Sequence, residues 1–393
     1  MKKIPALLIT ALLTTALATA AFAQDSAWKI SGEAKSGIFW QQVQTEGETE
    51  RKPAEVRLHN KDDAGGEEGR FRLNLDYENG KNFGMRARVQ WDTWKDPSPA
   101  WSYAFGYGNF FENQLTVSVG KLGGSPWGTG GPEKWKELEV GRYGGMRVEW
   151  KPAFVPETAG RFNVGFVLNW LDDPDESSLN DDATLLDLLS ESVLGFSWIH
   201  DDFGLVRFAY RLDSGRDRAV RGTEEYGKEG DKLIYRIEET MLKDFLPGLQ
   251  MWALGVYTGV GADHPMFQSF ENWFFAQYAP DLFTAQIRIG YDYIESRSVL
   301  HVKPTFYLNL FDRLLSVGTS FWYGQDFGEG KMHEGSPFVF MEIEPKIQLN
   351  FSSSYIAFVY NFRREYIHWT PQMGTADPIK QTQWINLRFC IYY

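Results

Sequence analysis

Between Gly69 and Asp92, two strands of strict polar/apolar alternation meet at an Asn-Gly turn, and this hairpin constrains the fold more than any other stretch. In the first strand Phe71, Leu73, Leu75 and Tyr77 share one face, while Arg70, Arg72, Asn74 and Asp76 share the other. After Glu78-Asn79-Gly80-Lys81 the pattern resumes, with Phe83, Met85, Ala87, Val89 and Trp91 opposed by Gly84, Arg86, Arg88, Gln90 and Asp92. Successive side chains of a strand point to opposite faces, and Asn-Gly supplies the backbone a tight hairpin needs. One face is therefore greasy and the other charged. A soluble sandwich can alternate in the same way, but this design recurs along the chain and ends on an aromatic residue, which points to a transmembrane β-barrel.

The alternating template fits about eighteen times, from Trp28–Trp40 to Trp384–Tyr393. Short candidate turns (Glu78–Asn82, Phe111–Gln114, His200–Gly204, Ala279–Leu282, Phe311–Leu314, Ser352–Ser354) separate some strands. Long polar segments separate others: Gln41–Glu68, Leu122–Arg142, Leu171–Glu191, Ser214–Lys232 and Arg363–Gln383. Short periplasmic turns, long external loops and an even strand number are the layout of an outer-membrane barrel. Phe83 and Trp91, or Phe162 and Trp170, stand eight residues apart. At about 3.3 Å per residue and a tilt near 40°, that separation rises roughly 20 Å, which fits aromatic girdles bracketing an apolar band of about 25 Å.

The N-terminus reads as an export signal. Met1-Lys2-Lys3 is a positive start, Ile4–Ala18 an apolar run, and Ala21-Phe22-Ala23 a small-residue cleavage site. Residues 1–23 are therefore expected to be a secretory signal peptide and 24–393 a single barrel domain with no plug. Apolar residues are 43% of the chain and aromatics 16%, a profile that suits strands with one face in water and rims rich in rings. The lone Cys390 excludes an internal disulfide, and its parity puts it on the polar face of the last strand. A formal charge of −12, or −14 without Lys2 and Lys3, does not suit nucleic acid, which is excluded as a partner.

The signal sequence, the strand rhythm and the terminal Ile385-Asn386-Leu387-Arg388-Phe389-Cys390-Ile391-Tyr392-Tyr393 resemble a bacterial outer-membrane porin. The Trp-rich, Gly-rich style is similar to that of barrels from diderm bacteria such as spirochaetes. The resemblance implies an all-β, antiparallel transmembrane barrel of about 16 to 18 strands, embedded in outer-membrane lipid and passing small hydrophilic solutes. It also implies a homotrimer, no cofactor, and a terminal strand whose Phe389, Ile391 and Tyr393 are read by the barrel-assembly machinery. In such porins the third external loop folds inward and narrows the pore. Here that loop is 122–142, with Gly123, Gly124, Pro126, Trp127, Gly130, Gly131 and Trp135. A loop folded over the external mouth is the alternative.

Lumen side chains set the field in a water-filled pore. The inward-projected cations are Arg70, Arg72, Arg86, Arg88, Arg147, Arg161, Arg207, Arg211, Arg288, Arg388 and Lys303. Inward carboxylates such as Asp76, Asp92, Glu149, Asp213, Asp292, Glu342 and Glu344 are fewer. This predicts a preference for anions, unless the arginines and acids cancel and only stiffen the wall. The six histidines show no metal-ligand spacing, and His301 is the one that projects inward on a clear strand. The acidic run Asp172–Asp182 lacks the calcium-hand pattern, and no G-x-S-x-G elbow is present, so neither a metal site nor catalytic residues are expected. The rival readings are a surface adhesin or structural barrel, a barrel enzyme, and a soluble exported β protein.

Overall fold

The structure, a computed structural model, describes residues 26–45, 55–58, 70–80, 82–92, 100–122, 144–169, 192–212, 217–219, 226–228, 230–242, 245–294, 297–327, 338–366 and 379–392. The expected signal peptide, all of loop 122–142 beyond Leu122, the acidic run and Tyr393 lie outside these residues.

The strands are β1 (Ser26–Thr45), β2 (Glu55–Leu58), β3 (Arg70–Asn79), β4 (Phe83–Asp92), β5 (Ala100–Phe110), β6 (Leu115–Lys121) and β7 (Gly144–Trp150). Next come β8 (Arg161–Asn169), β9 (Val193–His200), β10 (Gly204–Arg211), β11 (Asp217–Ala219), β12 (Tyr226–Lys228), β13 (Asp231–Glu239) and β14 (Leu249–Val260). The chain ends with β15 (Ser269–Tyr278), β16 (Phe283–Ile294), β17 (Arg297–Leu310), β18 (Leu315–Asp326), β19 (Phe338–Phe351), β20 (Ser354–Tyr366) and β21 (Ile379–Tyr392).

Every pairing along the wall is antiparallel between sequence neighbours, and β1 closes the circle. Its first half pairs with β3 from Ser26↔Asn79 to Lys35↔Arg70, and its second half with β21 from Glu33↔Tyr392 to Thr45↔Lys380. Setting aside β2, a short extension on β1, and the separate β11–β12 hairpin, the wall is a closed barrel of 18 antiparallel strands. Closure matters because a spanning sheet must pair every backbone group.

Strand existence and order follow the alternation; strand ends do not. β1 runs to Thr45, β20 to Tyr366, and β21 begins at Ile379, all inside segments that read as polar loops. Segments such as Gln41-Gln42-Val43-Gln44-Thr45 lack an apolar face, yet ladder hydrogen bonds hold them in register with β21. Backbone pairing continues past the point where side-chain hydrophobicity stops marking it. The polar loops also hold β2 and the β11–β12 hairpin, which the alternation did not single out.

The outer face is apolar. Ile30, Phe83, Val164, Phe208, Phe274, Phe306, Ile347 and Phe358 are all exposed on it, as are the rim residues Trp101 and Trp150. Soluble proteins rarely expose contiguous apolar patches beyond a few hundred Å². A belt of this kind is matched to hydrocarbon rather than water.

Two short turns repeat one solution. Asn109-Phe110-Phe111-Glu112-Asn113 and Asn309-Leu310-Phe311-Asp312-Arg313 each place three successive non-glycine residues at positive φ, between 52° and 68°. Left-handed backbone costs roughly 1–2 kcal/mol per such residue, so something must hold it. In each turn the preceding strand's asparagine does part of this: Asn109 Oδ1 accepts from Thr116 at 2.9 Å and Asn309 Oδ1 from Ser316 at 3.0 Å. Its backbone N–H also donates to the neighbouring turn, to Asn82 O and Leu282 O respectively.

Several glycines leave room for a ring to cross a strand. A Cβ on Gly290 of β16 would lie 2.5 Å from the indole of Trp273 in β15. That indole instead crosses the bare backbone and stacks on His301 of β17, with ring centroids 5.2 Å apart. In the same way Tyr107 of β5 lies over Gly84 of β4 and its hydroxyl donates to Glu78 of β3 at 3.3 Å. Each ring ties three strands where an ordinary cross-strand pair ties two.

Candidate pore lining

The inner face can be read from the ladders. Lys35 stands opposite Arg70 and Glu33 opposite Arg72, so β1 and β3 present these side chains together. Glu33 receives Arg70 Nε at 2.5 Å and Arg72 Nη1 at 3.1 Å, and Lys35 Nζ lies 3.9 Å away. Three cations thus share one carboxylate. A row of strands further on, Arg147 pairs with Glu149 at 3.0 Å, Arg236 with Glu238 at 2.6 Å, and Arg363 with Glu365 at 2.5 Å and Glu342 at 3.7 Å.

Arg86 and Arg88 are held differently. Asp76 stands opposite Arg86 in the register, but the two make no ion pair; the guanidinium rests over the ring of Tyr107 at 5.6 Å. Arg88 donates to Asn74 Oδ1 at 2.6 Å and lies over Tyr103 at 4.9 Å. Neither arginine has a carboxylate partner among the described residues. Two guanidinium groups without a carboxylate contact among the described residues therefore sit two residues apart on one face of β4, roughly 7 Å from each other.

The other projected cations fall in distinct places. Arg207 stands opposite Arg236, and Arg211 opposite Lys232 near the end of β10. Arg288 is buried over the ring of Phe275 at 5.6 Å and stands opposite Lys303, whose ammonium lies over Trp322 at 4.9 Å. Arg388 is buried opposite Ala357 in β20. Arg161 has the inward parity but sits at the first residue of β8, exposed, bound to Asp201 of the next turn at 3.0 Å. It belongs to the rim. Phe389 and Ile391 are exposed on the outer face, and Cys390 between them is fully buried on the inner one.

Sequence reasoning treated aromatic residues as girdles, and many are not. Tyr103, Phe105 and Tyr107 share the inner face with Arg88, Arg86 and Gly84, their register partners. Trp252, Trp273, Phe275 and Trp322 also face inward, with Trp252 stacked on Phe275 at 4.9 Å. The signal was present: in β5 the three rings have the opposite parity to Phe110. Arg236, Lys346 and Arg363 also face inward and were missed although parity marks them; Lys346 shares its parity with Glu342 and Glu344 on β19.

His301 meets Asp292, Nε2 to Oδ2 2.9 Å, a pairing the sequence alone did not reveal. Its ring is 1% exposed, stacked on Trp273 and 6.3 Å from Trp322. A general base must reach its substrate, and this imidazole is walled in. Elsewhere on the inner face Leu122, the last described residue after β6, is buried in a cluster with inward Val167, Val193, Ala209 and Ile234.

No protein-family model matches the chain, and no curated protein sequence does. Among solved structures, OpdQ of Pseudomonas aeruginosa aligns over 94% of this chain and 99% of its own, with a TM-score of 0.55 and 9% identity. An outer membrane protein of Vibrio cholerae, OmpT in a trimer form, aligns over 94% and 99% with a TM-score of 0.48 and 10% identity. An engineered variant of the Rhodopseudomonas blastica porin covers 93% and 100% with a TM-score of 0.46 and 12% identity. At these identities the likeness is one of fold, and what this chain shares with OpdQ is its antiparallel barrel architecture.

Proposed function

We propose that this chain is an outer-membrane porin: a water-filled channel, with no catalytic role, through which small hydrophilic solutes diffuse, anions more readily than cations. The observation that carries the reading is the closed 18-strand barrel with an apolar outer belt and a charged inner face. Barrels of 16 to 18 strands are wide enough to enclose an aqueous channel. Residues 1–23 act as a cleaved export signal and 24–393 as the barrel domain. The segment 122–142 narrows the pore, a role supported by Leu122, which already packs against inward side chains where the segment begins. Homotrimer formation completes the proposal.

Reconstitution in a planar bilayer under a KCl gradient tests it. Discrete conductance steps with a reversal potential of the sign for anion preference are expected. A folded, inserted protein that passes no current would instead favour an adhesin or structural barrel.

Insertion is proposed to depend on the terminal strand, with Phe389, Ile391 and Tyr393 read by the barrel-assembly machinery. Replacing Phe389 with Asp places a charge on the outer face of β21, at a depth-dependent cost below the roughly 2–4 kcal/mol of an Arg or Lys at the bilayer midplane. The expected outcome is a marked fall in heat-modifiable barrel recovered from outer membranes. Unchanged recovery would remove this role from the terminal strand.

A further inference from the structure

A carboxamide sits inside the apolar belt of the outer face, at Asn272 of β15. Tyr235 of β13 lies flat over Gly255 of β14, where a Cβ would collide with the ring, and its hydroxyl donates to Asn272 Oδ1 at 3.0 Å. Tyr235, Gly255 and Asn272 are register partners and share the outward parity of Ile237 and Phe274, both exposed. The ring row Tyr257, Phe270 and Tyr293 stands between Asn272 and the long-loop end of the wall, while Phe274 and Ile289 continue the apolar surface on its other side. Asn272 is therefore within the belt. The other outward carboxamides of the described wall are elsewhere: Gln42, Gln44, Gln325, Gln381 and Gln383 near the long-loop ends of their strands, and Asn79 at a short turn.

Asn272 is partly exposed, and its amide nitrogen has no hydrogen-bond partner among the described residues. Acyl chains offer no acceptor, so two N–H groups turned toward them lose their water and gain nothing in return. We propose that this part of the outer face, β13 to β16, is where one copy of the chain meets another. A second copy supplies what lipid does not. Oδ1 has two lone pairs and Tyr235 takes one, so Asn272 can accept an N–H from, and donate one to, the same residue of neighbouring copies around a symmetry axis. The surface beside it is also low: Ala253 stands opposite Phe274, Ala276 lies two residues along β15, and Gly255 is bare but for the tyrosine ring. Small side chains let two membrane-embedded surfaces approach closely, as they do between membrane helices, and bring a carboxamide within reach of its partner.

The inference rests on the homotrimer reading and names its contact face, and the experiment separates the two. Full-length chain carrying Cys390→Ser is folded into lipid vesicles with a single cysteine on the outer face, either Asn272→Cys or, on the far side of the wall, Leu75→Cys in β3. Mild oxidation should join Asn272→Cys chains into a species of twice the chain mass and leave Leu75→Cys chains single. Asn272→Leu, close in volume and suited to lipid, tests the same contact without a cysteine. It should fold with unchanged heat-modifiable mobility, yet raise by at least about tenfold the detergent-solution concentration below which trimers dissociate, as loss of a buried hydrogen-bond partner predicts. Sedimentation of the purified protein reads that concentration. If Asn272→Leu leaves the trimer as tight as the parent's, or if Asn272→Cys chains stay single within trimers, β13 to β16 face lipid and this inference falls while the homotrimer stands. A parent chain that is monomeric at every concentration removes the trimer and its contact face together.

Discussion

A channel carrying Arg86→Glu and Arg88→Glu is expected to reverse the sign of its zero-current potential in a dilute KCl gradient, from anion-preferring to cation-preferring. The expectation comes from how these two side chains are held. Arg70 and Arg72 already share Glu33, so their field is partly cancelled at the wall. Arg86 and Arg88 rest on tyrosine rings, which draw a cation without neutralising it. Two positive charges roughly 7 Å apart along a strand overlap when the Debye length is about 10 Å, near 0.1 M salt. At 1 M that length falls to about 3 Å, and the bias of the parent channel should fade accordingly. Arg161→Glu provides the contrast: this residue is exposed at the rim beside Asp201, and its replacement should move the potential far less. An unchanged potential in the double variant would place the permeation path away from β4.

The barrel was legible in the sequence because lipid and water impose a period-two pattern on every spanning strand. Phe338–Phe351 and Val193–His200 begin and end where the alternation does. The ends of β1, β20 and β21 were not legible, since past the apolar belt both faces are polar and only backbone hydrogen bonds define the strand. The arginines on β3 and β4 were readable one by one from parity. Which of them keeps a free charge was not, because that depends on the register that seats Glu33 against Arg72 and Tyr107 over Gly84. Asp292 and His301 lie nine residues apart on different strands and meet only through the β16–β17 ladder. Inward aromatics escaped for a further reason: a ring signals burial whichever way it points, and parity within β5 has to be fixed by its neighbours before Tyr103 and Tyr107 can be assigned to the lumen.

Gly290→Ala should destabilise the barrel by about 1–3 kcal/mol, the usual range for forcing extra volume into a packed site. Backbone entropy argues the other way, since alanine in a strand is favoured over glycine by about 0.5–1 kcal/mol, so the sign of the result is diagnostic. The added Cβ would lie 2.5 Å from the Trp273 indole, and the ring cannot retreat without leaving His301. His301 in turn sits against Asp292 and Trp322, so the disturbance passes from β15 through β17 to β18. Urea unfolding of the barrel in lipid vesicles, followed by tryptophan fluorescence, measures the loss. A double-mutant cycle then separates ring crowding from any effect on the strand itself. In a Trp273→Ala background the space over Gly290 is empty, and Gly290→Ala should cost nothing or stabilise slightly, giving a coupling of at least about 1 kcal/mol. Equal costs in the two backgrounds would mean that the indole does not lie across β16 and that another contact holds the three strands together.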